Sequence, residues 1–366
     1  MRVLHVFVSL PVGGAENLLI SILKELNPER YESVVCTLGE GGALAPAVRE
    51  LGVPLIELKL MGHRTRSVVV ESALAELMIR EQIDLVHSHL YHANRHARRA
   101  AHQVGIPAVI SIHNTYNKPK LRRRLINWWL ARYAAAIIVG SEDIRRDVVR
   151  YDWVPVERVE IIPNSVNLEL SLPVRTIAAI RAELMIPQGA YVLGTIGRLE
   201  IQKGHRVLME AIQQLKHKMS VILLLIGSGR EEDALRQQVA ELGIENNVRF
   251  LGTRSDLGDL FSVMNLFVMP SLWEGLSLAM LSAMAAGLPV VATDVGGVSA
   301  VFGKNERGWV VPPNSADALV EAIDFCFRHT DQAALVGEAG RQHVHANYSD
   351  LAMVSRIEAV YQRVLD

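Results

Sequence analysis

Short apolar runs alternate with segments of helical spacing along nearly the whole chain, and this pattern narrows the possible folds more than any other feature. Val3–Ser9, Tyr31–Leu38, Pro54–Leu58, Leu85–Ser88, Ala108–His113 and Ala136–Gly140 read as strands, with helices at Glu16–Leu26, Leu74–Glu81 and Arg122–Ala134. Strand–helix alternation predicts a parallel sheet covered by helices on both faces. The rhythm pauses at Ile161–Val174, where two prolines interrupt the periodicity, and restarts with strands at Val192–Gly197, Val221–Gly227, Val248–Leu251, Leu266–Met269 and Pro289–Ala292. A chain of 366 residues is long enough for two domains. The expectation is an α/β protein of two Rossmann-like, doubly wound parallel-sheet domains facing a central cleft. Residues 1–170 form the first, 171–348 the second, and 349–366 a C-terminal helix that packs back on the first.

Composition removes several classes. Lys and Arg number 38 against 39 Asp and Glu, so a generally basic nucleic-acid binder is excluded. Cys36 and Cys326 form no C-x-x-C pair, which argues against a zinc knuckle or disulfide scaffold and fits a reducing compartment. The opening MRVLHVFVSLP lacks a cleavage site and reads as a buried strand rather than a signal peptide. The uncharged stretch Gly275–Thr293 is broken by Gly287 and Pro289 and is too short to span a bilayer.

Four motifs carry the chemistry. Gly13-Gly14-Ala15-Glu16 lies between the first strand and helix, where glycines free backbone N–H groups for an anion; a plain tight turn is equally open. In Gly197-Arg198-Leu199-Glu200-Ile201-Gln202-Lys203-Gly204, Arg198 offers a bidentate fork and Lys203 a point charge, a pair suited to a diphosphate. Gly227-Ser228-Gly229 follows an apolar strand but lacks the third glycine of a dinucleotide fingerprint. Finally, Glu274 stands beside Gly275 ahead of the helix that starts near Leu276-Ser277-Leu278. A carboxylate there can accept from sugar hydroxyls, and the following N–H groups can face a phosphate; a helix-capping acid is the plainer reading.

Together these motifs resemble the retaining glycosyltransferases of family 4, with the GT-B fold. The likeness extends over nearly the whole chain and includes IIPNSVN, RFLGTRSD, the EG…AMAAGLPVVATDVGG block and RGWVVPP. It implies transfer of a sugar from a nucleotide-sugar, UDP- or GDP-linked, without a metal or other cofactor. Arg198 and Lys203 would hold the diphosphate with help from Gly13, Gly14, Gly197 and Gly227. Glu274 and the amides after Gly275, at Leu276, Ser277 and Leu278, would meet sugar and phosphate. His113 would act near the anomeric centre, and the backbone near Gly252 would read the base. The sequence departs from the family pattern where Ser282 replaces the second glutamate, which usually takes the ribose, and where Ala300 replaces the acid of Gly-Gly-x-Pro-Glu. These losses leave two rivals, a nucleotide-sugar epimerase or hydrolase and a weakly active or non-catalytic binder.

A local charge asymmetry hides inside the balanced total. From Leu85 to Ser141, 57 residues, there is no Asp or Glu. Lys118, Lys120, Arg122, Arg123 and Arg124 precede Trp128 and Trp129, a combination suited to an anionic membrane face or a lipid-linked acceptor. An ordinary helix with solvated arginines is the alternative. Six of the thirteen histidines also lie in this stretch, among them His87, His89, His92 and His96. No metal motif accompanies them, and polar lining is the expectation. The activity expected is glycosyl transfer to a glycan or lipid-linked acceptor in cell-surface polysaccharide or glycolipid synthesis. The enzyme would be cytoplasmic and peripheral at the inner face of the membrane, with no nucleic-acid partner.

Overall fold

The computed structural model describes residues 1–61, 65–113 and 121–366, with the side chains of Arg123 and Leu170 left out of the description. The chain divides into two units, Met1–Ser165 with Asp350–Asp366, and Val166–Ser349. The division falls five residues before the expected 170/171 because the Val166 N–H donates to the Tyr348 carbonyl at 2.8 Å, tying Val166 to the second unit.

The first unit runs β1 (Arg2–Phe7), α1 (Gly14–Glu25), β2 (Glu32–Thr37), α2 (Ala45–Glu50), β3 (Leu55–Glu57), α3 (Ser67–Arg80), β4 (Leu85–His89), α4 (Tyr91–Val104), β5 (Ala108–Ile112), α5 (Leu121–Ala131), β6 (Ala136–Val139), α6 (Glu142–Asp152) and β7 (Val159–Ile161). All pairs are parallel, in the order β3-β2-β1-β4-β5-β6-β7. Strand residues alternate between faces. Leu4, Val6, Val34 and Val86 pack on Leu74 and Met78 of α3 and on Ala93 and Ala97 of α4. Val3, Leu85 and Val109 pack on Leu18 and Ile22 of α1 and on Met353, Ile357 and Tyr361 of the C-terminal helix Asp350–Leu365.

The second unit runs α7 (Ile177–Glu183), β8 (Tyr191–Ile196), α8 (His205–Leu215), β9 (Val221–Ile226), α9 (Glu232–Glu241), β10 (Val248–Gly252), α10 (Leu257–Val263), β11 (Leu266–Met269), α11 (Leu278–Ala285), β12 (Val290–Thr293), α12 (Val298–Phe302), β13 (Trp309–Val311), α13 (Ala316–Arg328) and α14 (Thr330–Asn347). Its parallel sheet has the order β10-β9-β8-β11-β12-β13. The uncharged stretch forms the buried helix α11, eight residues long, followed by the buried strand β12. Among the described residues no helix is long and apolar enough to cross a membrane. Both sheets reverse direction of growth once, between β1 and β4 and between β8 and β11, and such switch points are where open α/β sheets bind ligands.

Candidate active site

The second unit brings Lys203 and Glu274 together at the carboxyl ends of β8 and β11. The loop after β8 begins at Gly197 and ends at Lys203, and the loop after β11 carries Ser271 and Glu274. Lys203 Nζ donates to Glu274 Oε2 at 2.5 Å, and the Ser271 hydroxyl donates to the same oxygen at 3.3 Å. The two side chains are only 17% and 14% exposed, so each charge is largely shielded from water and depends on the other. Backbone contacts lock the two loops together: the Leu272 N–H donates to the Gln202 carbonyl at 2.8 Å, and the Gln202 side chain to the Trp273 carbonyl at 2.9 Å.

Glycine permits this close approach. Gly204 has φ +65°, and a Cβ there would lie 1.9 Å from the Pro270 carbonyl oxygen. Gly227, after β9, has φ +132°, and a Cβ would lie 1.9 Å from the Gly197 carbonyl oxygen. Beside the ion pair starts α11, whose N-cap Ser277 accepts from the Met280 N–H at 3.4 Å. The N–H groups of the first turn are positive dipole ends, as an anion requires. Arg198 is exposed, and no ion pair of its side chain occurs among the described residues. Ser282 is half-buried one turn into α11, and its carbonyl accepts from the Ser171 hydroxyl at 3.3 Å. Gly252 closes β10 with φ +63° and Gly275 has open space around it.

In the first unit, Gly13 caps α1, and Gly14 is its first residue. The buried Glu16 carboxylate folds back over Gly13, where an added Cβ would lie 2.3 Å from its Oε2. The chain's own acid thus sits at the helix start that the sequence offered to an external anion.

The first unit also brings together histidines that the sequence keeps apart. His5 on β1 is in register with His87 on β4, and His89 lies two residues on, on the same face. One nitrogen of each lies within 4.8 Å of the others. His87 Nδ1 is 2.6 Å from the Tyr361 hydroxyl and Nε2 is 2.8 Å from the Ser111 hydroxyl, so both nitrogens are engaged; moving His87 onto an ion would cost one of these bonds. His113, just past β5, reaches His89 at 3.3 Å. Burial holds His5 and His113 down at about 4, and His87 and His89 well below their ordinary value, so all four rings are neutral. The spacing of His87 and His89 was visible in the sequence, but His5 was missed because it joins them through strand register. His96 is separate: it lies 3.3 Å from the buried Glu71, which also pairs with Arg99 at 3.2 Å.

The basic stretch is split by α5. Lys118 and Lys120 lie outside the described residues, as does the Arg123 side chain. Arg124 does not join an exposed basic face: its Nε donates to the Tyr151 carbonyl at 3.0 Å and its guanidinium lies 4.5 Å over Trp153. The helix places 124 beside Asn127, whose amide donates to both Asp152 oxygens at 3.0 Å, so this stripe faces α6. The adjoining, outward stripe leaves Leu121, Leu125, Trp128 and Trp129 exposed beside Arg122 and Arg132. Between this stripe and α4 lies a groove of about 600 Å³ lined by Arg95, Arg99, Arg122, Leu125 and Trp129 among others.

The sequence matches the family model Glycosyl transferases group 1 over residues 176–343 and Glycosyltransferase Family 4 over residues 12–170. The chain is a group 1 glycosyltransferase of the GT-B fold. This glycosyltransferase is 23% identical to the Escherichia coli UDP-Gal:alpha-D-GlcNAc-diphosphoundecaprenol alpha-1,3-galactosyltransferase, with 99% of this chain and 96% of that one covered. It is 25% identical to the D-inositol 3-phosphate glycosyltransferase of Streptomyces scabiei, with 91% and 83% covered. In fold it is similar to HepE of Anabaena, solved in complex with UDP, with a TM-score of 0.89, 22% identity and 99% and 100% covered.

Proposed function

We propose that this glycosyltransferase moves a hexose from a UDP- or GDP-linked donor, with retention of anomeric configuration, to a glycan or lipid-linked acceptor of cell-surface polysaccharide or glycolipid synthesis. The observation that carries the reading is the Lys203–Glu274 pair at the switch point of the second unit, beside the open N-terminus of α11. A cation for a diphosphate and a carboxylate for sugar hydroxyls stand side by side, neutralising each other until the donor separates their roles. Lys203 and Arg198 stabilise the charge that grows on the leaving diphosphate, assisted by the amides of Leu276, Ser277 and Leu278. The leaving phosphate oxygen takes the acceptor's proton as the new bond forms on the face that the leaving group vacates. This assignment gives the site a single carboxylate, Glu274, where a two-carboxylate hydrolase requires two. His113 contributes at the anomeric carbon, and the protein's own cations replace a metal.

The acceptor's membrane partner is assigned to the exposed α5 stripe. Arginines beside Leu125, Trp128 and Trp129 match an anionic headgroup over an apolar layer. Undecaprenol diphosphate in the name of the galactosyltransferase similar to this chain supports the same acceptor class. The enzyme then works as a peripheral protein on the cytoplasmic face, in keeping with free, buried Cys36 and Cys326. The test is incubation with UDP-glucose, UDP-galactose or GDP-mannose and a polyprenyl-diphosphate-linked saccharide, with and without EDTA. An α-linked product at equal rate in both conditions is expected; a β-linked product or loss of rate with EDTA overturns retention or metal independence respectively.

A further inference from the structure

His89 is held so firmly that it determines what its neighbour can do. It is the last residue of β4, it is 1% exposed, and its ring is packed against Phe7, with centroids 4.4 Å apart and planes 15° from parallel. His87 crowds it from the side at 4.1 Å. Toward His113 the arrangement is different. The ring planes are within 11° of each other, the centroids are 5.5 Å apart, and His89 Nδ1 lies 3.3 Å from His113 Nε2. That combination is what two imidazoles in one plane give when joined nitrogen to nitrogen, so the contact is a hydrogen bond with the proton directed along the line between the rings.

The direction of this bond follows from the far side of His89. Its Nε2 is buried and has no hydrogen-bond partner among the described residues. A neutral imidazole carries one proton. Placed on Nε2, that proton would make a buried N–H with no acceptor among the described residues, a rarer defect in folded proteins than an unused acceptor. Placed on Nδ1, it leaves only an unused lone pair in the core and points at His113. We propose that His89 is a positioning residue that donates from Nδ1 to His113 Nε2 and so fixes His113 with its own proton on Nδ1. Burial supports the neutral state of both rings, since it depresses their basicity.

The consequence bears on the reaction and rests on the assignment of His113 to the anomeric centre. With Nε2 occupied as an acceptor, the half-buried His113 presents an Nδ1–H. It can donate a hydrogen bond to a substrate oxygen, and it has no free lone pair with which to take a proton. His113 is thereby a hydrogen-bond donor in the transfer rather than its base, in agreement with a leaving phosphate that receives the acceptor's proton.

The tautomer is read directly by two-bond nitrogen–proton correlation spectra of the full chain labelled with ¹⁵N-histidine, the His113 signals being identified by their loss in His113→Asn. The expected spectrum shows an Nδ1-protonated His113, which in His89→Leu shifts to a mixture containing the Nε2–H form. Acceptor-independent release of sugar from UDP-glucose supplies the kinetic readout. His89→Leu should lower kcat ten- to a hundredfold with KM for UDP-glucose within twofold, and His89→Asn, whose amide N–H stands near the former Nδ1, should recover a good part of it and serves if the leucine variant fails to fold. An Nε2-protonated His113 in the unaltered enzyme overturns the proposal, as does a tautomer unchanged in both His89 variants. Full turnover in His113→Ala would instead refute the role of His113 while leaving the tautomer assignment standing; lost turnover in His113→Ala with unaltered rates in both His89 variants would refute positioning alone.

Discussion

Mild acid should destabilise the first unit strongly, and the size of the effect follows from its buried histidines. His5 and His87 are fully buried and His89 is 1% exposed. His5 is held at about 4 against an ordinary 6.5, and His87 and His89 lie well below 6.5, with burial the leading cause in each. On unfolding the rings regain water and titrate near their ordinary value. Between the two values the unfolded chain binds more protons than the folded one, so stability increases with pH there. The contribution is therefore complete above about pH 6.5 and is lost as pH falls from there toward the folded values. At pH 5.5, one unit below the unfolded value, His5 has lost about 1.4 kcal/mol, and His87, His89, His96 and His113, which burial also holds down, add losses of the same sign. Ordinary carboxylates stay ionised in this window, which isolates the histidines. Urea unfolding followed by tryptophan fluorescence at pH 7.5 and 5.5 should show the first unit's midpoint fall by more than the roughly 0.7 M that His5 alone accounts for at a slope of about 2 kcal/mol per M. His5→Gln should remove about one proton from the pH dependence. A midpoint that is the same at both pH values, or a pH dependence that His5→Gln leaves untouched, would refute the reasoning.

Three further outcomes follow from the geometry. Ser282→Glu places a carboxylate one turn into α11 and should tighten UDP binding about tenfold, the worth of one charge-assisted hydrogen bond; unchanged calorimetric affinity would put position 282 away from the ribose. Gly204→Ala forces a Cβ into the Pro270 carbonyl at a left-handed φ, so the two loops must separate. UDP-glucose turnover should drop by at least a hundredfold while the far-ultraviolet circular dichroism spectrum is retained, and normal turnover would mean that the loops need not touch. In flotation with anionic phosphatidylglycerol vesicles the chain should rise with the lipid, and Trp128→Ala with Arg122→Ala should leave most of it at the bottom, whereas equal flotation of the variant would clear α5 of that role.

Most of the strands were legible because each is a short, mainly apolar run, and Leu266–Met269 was placed at its observed bounds. The helix α4 was not singled out, since Tyr91–Val104 is rich in His and Arg. Its buried residues are Ala93, Ala97, Ala100 and Ala101 with Asn94, His96 and Arg98, a small and polar set that carries little hydrophobic signal, while the alanines allow close packing on α3. The edge strands β7 and β13 are only three residues long and were not read from the sequence. At the site, Lys203 and Glu274 were readable one by one from motif and resemblance, but not as a pair, because the contact joins positions 71 residues apart through loop packing. His5 required strand register, and the inward turn of Arg124 required knowing that α5 lies against α6.

The donor site of the second unit is the centre of this account, and calorimetric titration of the full chain with UDP tests it most directly. One-to-one binding is expected, weakened roughly ten- to a hundredfold in Lys203→Ala, as loss of a charge-assisted contact to a phosphate predicts. If UDP and GDP both fail to bind, or if Lys203→Ala binds UDP as tightly as the unaltered chain, the pairing of Lys203 with Glu274 is structural only and the assignment of the donor site is wrong.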